Sequence, residues 1–317
     1  MAMIGNDVKY AQQLLEQGKL VAIPTETVYG LAANALNEDA VLSIFEVKNR
    51  PQFDPLIIHT DSIEKLQHFV TSFPEKALKL ATAFMPGPLT LLLPKNNIIP
   101  DLVTSGLESV AVRIPKHPLA LELLATLDFP LAAPSANPFG YISPTTAAHV
   151  QAQLGDKIAY ILDGGECSVG IESTIVGFDD EQPVVYRLGG IAVEEIENIV
   201  GVVKTMAHST SNPQAPGMLK SHYAPRKPLT INNLEELLKN YDSQKIGVLS
   251  FDKTIPEVPV ANQRILSPTR NFSEAAKNLF AYLRQLDALD VAVIYAELLP
   301  NQNLGRAIND RLRRAAA

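Results

Sequence analysis

Short runs of apolar residues alternate along the chain with longer segments in which apolar residues recur every three or four positions. The first pattern predicts buried strands, and the second predicts helices with one buried face. Strands are predicted at 20–24, 56–59, 89–94, 110–115, 130–133, 159–163, 174–178 and 184–188. Helices are predicted before Gly18 and at 38–48, 62–69, 75–84, 118–126, 145–154 and 193–200. Many predicted strands end in proline or glycine, so we expect an α/β fold whose twisted sheet mixes parallel and antiparallel pairs.

The composition changes around 205–216, where Ser, Asn, Pro, His and Thr interrupt the apolar pattern. Such a composition is typical of a linker. Beyond it, helices are predicted at 234–241, 273–286 and 304–314, and strands at 246–251, 264–266 and 291–295. At 317 residues the chain exceeds one typical domain. The sequence therefore predicts an N-terminal domain at 1–204, a linker at 205–227 and a smaller Rossmann-like α/β domain at 228–317.

Composition narrows the class of protein. The chain is 46% apolar and 19% charged, as in soluble globular proteins, and its only cysteine, Cys167, excludes an internal disulfide. It shows neither a membrane-spanning apolar run nor a signal-peptide pattern, so we expect a cytoplasmic location. A net charge of −7 argues against bulk binding of nucleic acid. A local basic group near the C-terminus is interpreted as charge at a helix end, with a basic groove as the alternative: Arg306, Arg311, Arg313 and Arg314.

Residues 23–59 combine hydroxyls, a carboxylate and cations at the ends of predicted elements. A helix ends at Lys48 and Arg50, and the following strand ends at His59. Cations at such ends predict a site for a phosphorylated ligand. Neither a P-loop nor a Gly-x-Gly-x-x-Gly fingerprint is present, so we expect side chains to hold the anion. The alternative for Lys48 and Arg50 is surface charge at a helix C-terminus, but Pro51 ends the helix and favours a fixed guanidinium.

A series of short motifs extends over nearly the whole chain. In order they are Pro24-Thr-Glu-Thr-Val-Tyr-Gly-Leu, Lys48-x-Arg-Pro, Pro55-Leu-Ile-Ile-His59, Met85-Pro-Gly-Pro-Leu-Thr, Val110-Ala-Val-Arg-Ile-Pro, Ala133-Pro-Ser-Ala-Asn, Asp163-Gly-Gly, Glu172-Ser-Thr-Ile-Val, Arg187-x-Gly-Gly, Pro216-Gly-Met, His222-Tyr-Ala-Pro and Gly305-Arg-Ala-Ile-Asn-Asp-Arg-Leu. The ordered set resembles the YrdC-domain family, and the C-terminal region resembles its long two-domain branch.

The resemblance implies a nucleotidyltransferase, a threonylcarbamoyl-AMP synthase. It would join L-threonine, bicarbonate and ATP, with Mg²⁺ as the cofactor of ATP, to give threonylcarbamoyl-adenylate and pyrophosphate. Downstream transfer proteins would pass the threonylcarbamoyl group to the adenosine beside the tRNA anticodon. The resemblance assigns no protein side chain to the metal.

The resemblance assigns five residues to L-threonine: Thr27, His59, Arg113, Ala133 and Ser173. Arg113 lies inside a predicted strand, where a buried guanidinium needs a carboxylate partner. We expect the threonine carboxylate to be that partner, with a structural ion pair as the alternative. For Thr27 the alternative is a hydroxyl that stabilises a turn, and for His59 it is a structural imidazole.

Eight residues are assigned to ATP by the resemblance: Arg50, Asp54, Ser109, Ser135, Asn137, Ser143, Arg187 and Tyr223. Lys48 and Arg50 are expected to act in catalysis by offsetting phosphate charge. Asp54 stands where the family usually carries Asn, and its carboxylate would need the ribose or Mg²⁺ as a partner. Ser143 is also expected to be a helix N-cap. The linker is expected to close over the nucleotide as a lid, with Gly217 as its hinge.

Two other functions remain open at this point. An RNA-binding module would use a basic face, although the negative charge, the few tyrosines and the absence of tryptophan argue against base stacking as its main role. We therefore expect RNA contact to be weak. A carbamoyl-phosphate-using transferase is the other alternative, since related domains occur in hydrogenase-maturation proteins. The zinc-finger and acylphosphatase modules of those proteins are not recognisable in this sequence, so this alternative ranks last.

Overall fold

The computed structural model describes residues 1–206, 215–216 and 222–317. Within these residues eleven strands form the first sheet: β1 (Met3–Gly5), β2 (Val21–Ile23), β3 (Gly30–Asn34), β4 (Ile57–His59), β5 (Leu89–Pro94), β6 (Ser109–Arg113), β7 (Leu131–Ala132), β8 (Tyr160–Leu162), β9 (Thr174–Asp179), β10 (Gln182–Arg187) and β11 (Lys204–Thr205). Their order is β1-β8-β2-β3-β7-β4-β6-β5-β9-β10-β11. Parallel pairs such as β4/β6 and antiparallel pairs such as β5/β6 both occur, which confirms the mixed sheet.

Helices cover this sheet: α1 (Val8–Glu16), α2 (Glu38–Lys48), α3 (Ile63–Gln67), α4 (Glu75–Phe84), α5 (Asp101–Thr104), α6 (Pro118–Ala125), α7 (Ala147–Leu154) and α8 (Val193–Val200). Polar side chains begin several of them, since Asp7, Asn37 and Ser62 accept backbone N–H groups at the starts of α1, α2 and α3. Thr146 does so for α7, where its hydroxyl accepts the amide of His149. The expectation that Ser143 begins this helix is therefore wrong.

The C-terminal part contains a second, all-parallel sheet in the order β12-β15-β13-β14, with β12 (Leu229–Thr230), β13 (Ile246–Ser250), β14 (Gln263–Ile265) and β15 (Val293–Ala296). Its helices are α9 (Leu234–Asn240), α10 (Phe272–Ala288) and α11 (Gly305–Ala315). Short 3₁₀ turns precede β13 and β14, at Ser243–Lys245 and Val260–Asn262. This arrangement confirms the smaller parallel α/β unit.

The two sheets share one hydrophobic cluster. Val28, Ile142 and Ile171, from loops of the first sheet, are buried in a cluster with Leu279 and Phe280 of α10. Close approach requires Gly170, because a Cβ there would lie 2.5 Å from the Cα of a residue in α10, and its φ is +78°. The C-terminal unit is therefore packed tightly against the N-terminal one.

Part of the predicted linker is described. Residues 207–214 and 217–221, including the proposed hinge Gly217, lie outside the described residues. β11 extends the first sheet by pairing with β10, so the predicted boundary at 204 falls within this strand. The division into 1–204, 205–227 and 228–317 stays a prediction. None of the helices in the described ranges combines the length and apolar character needed to cross a membrane.

Candidate active site

A cavity at one edge of the first sheet, bordered by the described linker residues Pro216, His222 and Tyr223, brings together distant parts of the chain. It has about 540 Å³ of space, including its open mouth. Strand β4 ends there at His59, β6 at Arg113 and β10 at Arg187. The other lining residues are Thr27, Val28, Arg50, Pro55, Leu56, Ile57, Ala133, Pro134, Ser135, Glu172, Pro216, His222 and Tyr223. Eight of the residues predicted from the motifs therefore lie around one cavity: Thr27, Arg50, His59, Arg113, Ala133, Ser135, Arg187 and Tyr223.

Three guanidinium groups dominate the charge of the cavity. Arg50, Arg113 and Arg187 line it, together with one carboxylate, Glu172. All four side chains are largely buried, where electrostatic interactions are stronger than in bulk water. The cavity is therefore suited to an anionic ligand although the chain as a whole carries a charge of −7.

Arg50 is held rigidly at the end of α2. Its Nη2 lies 2.9 Å from a carboxylate oxygen of Asp54 and donates to the carbonyl of Pro55 at 2.8 Å, while its Nε donates to the Asp54 carbonyl at 3.1 Å. Asp54 is fully buried. Burial lowers the pKa of Arg50, and the Asp54 carboxylate opposes this effect. These contacts fix the guanidinium at the cavity wall before any ligand arrives.

Arg113 already has a carboxylate partner in the protein. Its Nη2 donates to Glu26 Oε1 and to the hydroxyl of Thr27, both at 2.8 Å. The other Glu26 oxygen accepts the backbone amide of Lys116 at 2.9 Å. The structural ion pair named as the alternative is therefore present, with Glu26 as the partner, and a contact between Arg113 and the threonine carboxylate stays a prediction. Within the described residues Arg113 Nη1 makes no hydrogen bond, so the guanidinium retains donor capacity toward the cavity.

Two neutral imidazoles face the same cavity. Burial and the nearby Arg113 lower the pKa of His59 to about 3. Burial, followed by Arg314 and Arg50, holds the pKa of His222 well below its usual range. In both rings Nδ1 has no hydrogen-bond partner within the described part of the chain. Both side chains therefore contribute uncharged polar groups to the cavity at neutral pH.

Tyr223 is held in place by residues of the C-terminal unit. Its ring stacks on Phe280 with a centroid separation of 5.4 Å, and the guanidinium carbons of Arg314 and Arg311 lie 4.8 and 5.6 Å from the ring centroid. Its backbone adopts φ +70°, which tyrosine seldom does. Close packing thus fixes the described end of the linker at the cavity.

Comparison with known proteins agrees with this geometry. A family model described as "Telomere recombination" matches residues 13–189, and one described as "Threonylcarbamoyl-AMP synthase, C-terminal domain" matches 191–317. The chain belongs to the Sua5/YciO/YrdC family. The threonylcarbamoyl-AMP synthase of Pyrococcus abyssi is 42% identical, with 98% of this chain and 94% of the relative covered, and that of Bacillus subtilis is 41% identical with the same coverage.

A solved structure extends this similarity to three dimensions. The crystal structure of Pyrococcus abyssi Sua5 complexed with L-threonine superimposes with a TM-score of 0.91 at 40% identity, covering 99% of this chain and 98% of that one. The resemblance inferred from the ordered motifs is confirmed, and so is the two-sheet α/β fold.

Several residues expected at the site of this family member lie behind the cavity wall. Lys48 donates to the carbonyl oxygens of Ser135 and Asn137, at 2.5 Å each, and does not line the cavity. Asn137 is fully buried, and its amide nitrogen donates to the carbonyls of Pro138 and Tyr141. Lys48 and Asn137 therefore shape the Ala133-Pro-Ser-Ala-Asn loop, which forms the wall. Asp54 likewise lies outside the lining residues and is paired with Arg50.

The three remaining serines also lie outside the lining residues. Ser173 exchanges a hydrogen bond with Thr90 at 2.7 Å and accepts from Arg187 Nη2 at 3.0 Å, so it positions that arginine. Ser143 donates to Glu172 at 2.6 Å. Ser109 begins β6 and, four residues before Arg113, lies roughly 13 Å along the strand, in a separate depression with Tyr186. The structure does not bring Ser109 to the cavity.

The sequence analysis did not identify three buried charged residues that form ion pairs in or beside the cavity. They are Glu26, Glu172 and Arg311. The two glutamates occur inside recognised motifs, next to Thr27 and Ser173. Their signal was a carboxylate in a segment that must be buried, which requires a cationic partner. Arg311 belongs to the arginine group interpreted as helix-end charge, but it is fully buried and contacts Glu172. That interpretation is wrong for this residue.

Proposed function

We propose that the protein is an L-threonylcarbamoyladenylate synthase, which forms threonylcarbamoyl-AMP and pyrophosphate from L-threonine, bicarbonate and ATP. One observation carries the proposal: Arg50 and Arg113 line the same cavity and do not open onto opposite surfaces. Both guanidinium groups can therefore contact ligands bound in that one cavity. The L-threonine seen with the Pyrococcus abyssi relative supports the amino-acid side of this assignment.

The reaction requires positioning and charge compensation more than a nucleophile on the protein. The threonine nitrogen bonds to the carbon of bicarbonate with loss of water, and an oxygen of the resulting carbamate attacks the α-phosphorus as pyrophosphate leaves. The arginines of the cavity offset the phosphate charge during this transfer. The neutral imidazoles of His59 and His222 offer hydrogen bonds without adding charge. Apolar walls such as Leu56 and Ile57 limit hydrolysis of the product anhydride.

The carboxylates described in and beside the cavity are each paired with an arginine. Mg²⁺ prefers oxygen ligands in octahedral geometry. Glu172 is paired with Arg311, Glu26 with Arg113 and Asp54 with Arg50. No cluster of three metal-ligating side chains occurs among the described residues. We therefore expect Mg²⁺ to arrive bound to the phosphate oxygens of ATP.

The product is a donor for tRNA modification, so we also propose a cytoplasmic location and transfer proteins that carry the group to the adenosine beside the anticodon. Direct RNA contact by this chain is expected to be weak because of its net charge of −7.

The test is pyrophosphate release from ATP and Mg²⁺ by the purified full chain. Release should require both L-threonine and bicarbonate, and mass spectrometry should detect threonylcarbamoyl-AMP. Release that is unchanged without threonine would refute the proposal. Replacing bicarbonate by carbamoyl phosphate tests the transferase alternative, which predicts turnover with carbamoyl phosphate and none with bicarbonate.

A further inference from the structure

Glu172 places a negative charge on the wall of a cavity that receives a nucleotide. Its side chain lines the cavity beside Arg187, and its residue is only 7% exposed. One carboxylate oxygen accepts from the Ser143 hydroxyl at 2.6 Å, and the other accepts from Nε and Nη2 of Arg311, both at 3.1 Å. Every oxygen of this carboxylate thus has a partner, and its only ion-pair partner is Arg311 among the described residues.

Arg311 comes from α11, the last helix of the C-terminal unit, and lies 139 residues from Glu172 in sequence. The side chain is fully buried. Its Nη1 donates to the carbonyl of Leu188 and lies 3.4 Å from Asp310, and its guanidinium carbon is 5.6 Å from the centre of the Tyr223 ring. These contacts fix the guanidinium in an orientation in which its Nε and Nη2 atoms face Glu172.

The charge balance of the cavity depends on this pair. Without Arg311, the Glu172 carboxylate would compensate one of the cavity arginines and repel an incoming triphosphate. Coulomb energies in a partly buried site are several-fold larger than in water, so one uncompensated charge changes anion affinity substantially.

We propose that Arg311 is a positioning residue for ATP: by pairing with Glu172 it keeps the cavity positive, and so the C-terminal unit is an electrostatic part of the nucleotide site. This inference rests on the proposed function and adds a role for the C-terminal unit. Glu172 itself is a poor proton acceptor. Burial alone would raise its pKa, but Arg311, Arg187 and the Ser143 hydroxyl lower it below the usual value.

The experiment measures the dissociation constants of Mg²⁺-ATP and of L-threonine by calorimetric titration of the full chain. Arg311→Met removes the charge and keeps much of the side-chain volume. We expect it to weaken ATP binding roughly tenfold or more, with a smaller effect on threonine, whose net charge is zero. The double variant Glu172→Gln/Arg311→Met removes both charges and should recover most of the ATP affinity. Arg313→Met, on the exposed side of the same helix, is the control and should bind ATP as the wild type does.

The recovery separates charge from packing. If the double variant binds ATP as weakly as Arg311→Met, Arg311 acts through packing alone and the inference is wrong. If Arg311→Met does not fold, as judged by circular dichroism, the test uses the single variant Glu172→Gln. This variant should bind ATP at least as tightly as the wild type, because it removes a negative charge from the cavity wall. Weaker binding of ATP overturns the inference. Failure of the wild type to bind ATP would instead refute the proposed function.

Discussion

The role of Lys48 provides a sharp test, because sequence and structure point to different contacts. The sequence predicts a phosphate ligand, whereas the structure directs the ammonium group to the carbonyl oxygens of Ser135 and Asn137. The Lys48 residue is 1% exposed. The substitution Lys48→Met keeps the length of the stem and removes the three donors.

The expected loss follows from those two contacts. The Ser135 carbonyl would keep the backbone amide of Asn137 as a donor at 3.0 Å, whereas the Asn137 carbonyl would lose its hydrogen-bond partner among the described residues. A buried carbonyl left unpaired costs about 1–3 kcal/mol. Removing the buried ammonium recovers part of this, because a cation is costly to desolvate. We therefore expect the free energy of unfolding to fall by about 1–3 kcal/mol, which is a substantial part of the roughly 5–15 kcal/mol that stabilises a typical protein. ATP and threonine affinities should fall together, because the same loop carries Ala133 and Ser135 to the cavity.

Urea unfolding followed by circular dichroism gives the free energy, and calorimetric titration gives the two affinities. Lys157→Met is the matched control: this exposed lysine donates one hydrogen bond, to the Val47 carbonyl at 3.2 Å, and should change the free energy of unfolding by less than about 0.5 kcal/mol. If the Lys48→Met protein kept its free energy of unfolding and lost affinity for ATP alone, this result would show that Lys48 contacts phosphate directly.

Three further predictions concern acid stability, threonine binding and backbone packing. Because the pKa of His59 is about 3 when folded and about 6.5 when unfolded, acidification from pH 8 to pH 5 should remove about 2 kcal/mol of stability through proton uptake by the unfolded state. His59→Gln should flatten this dependence in urea midpoints measured without ligand, and an unchanged slope would contradict the assignment. A lysine at position 113 cannot hydrogen-bond to Glu26 and to a substrate at the same time, so Arg113→Lys should lower the affinity for threonine roughly tenfold or more. The affinity for ATP should change less. Equal losses in titrations of each ligand would argue against a threonine contact. Gly189→Ala should lower thermal stability by about 2 kcal/mol or more, because its Cβ would lie 2.4 Å from three backbone atoms. Gly106→Ala, with φ +77° and open space, should lose only about 1 kcal/mol, and equal losses would refute the packing argument.

Periodic helices and apolar strands could be predicted from sequence because their patterns are local. The bounds of α2, α4 and α8 agree with the predicted ranges 38–48, 75–84 and 193–200. Strand β3 was missed because Gly-Leu-Ala-Ala-Asn has low strand propensity. Its small residues are required by packing, since a Cβ at Gly30 would lie 3.2 Å from that of Ala133. Tertiary crowding of this kind leaves no local pattern.

The composition of the candidate site could be predicted better than its contacts. The motifs identified Arg50, Arg113 and Arg187, and all three line the cavity. Sequence does not tell whether a polar side chain faces a ligand or a protein group far along the chain. The partner of Arg113, Glu26, is 87 residues away, and no periodicity connects the two. For the same reason the structural contacts of Lys48 could not be foreseen.

The apolar cluster that joins the two sheets has a consequence for how this architecture can be shortened. Val28, Ile142 and Ile171 are each at most 6% exposed and are buried in one cluster with apolar side chains of α10 and α11. A chain that ended after β11 would expose these three side chains to water as an apolar patch that promotes aggregation. Any naturally short version should therefore carry hydrophilic substitutes at these three positions, and a laboratory truncation should need them to stay monodisperse.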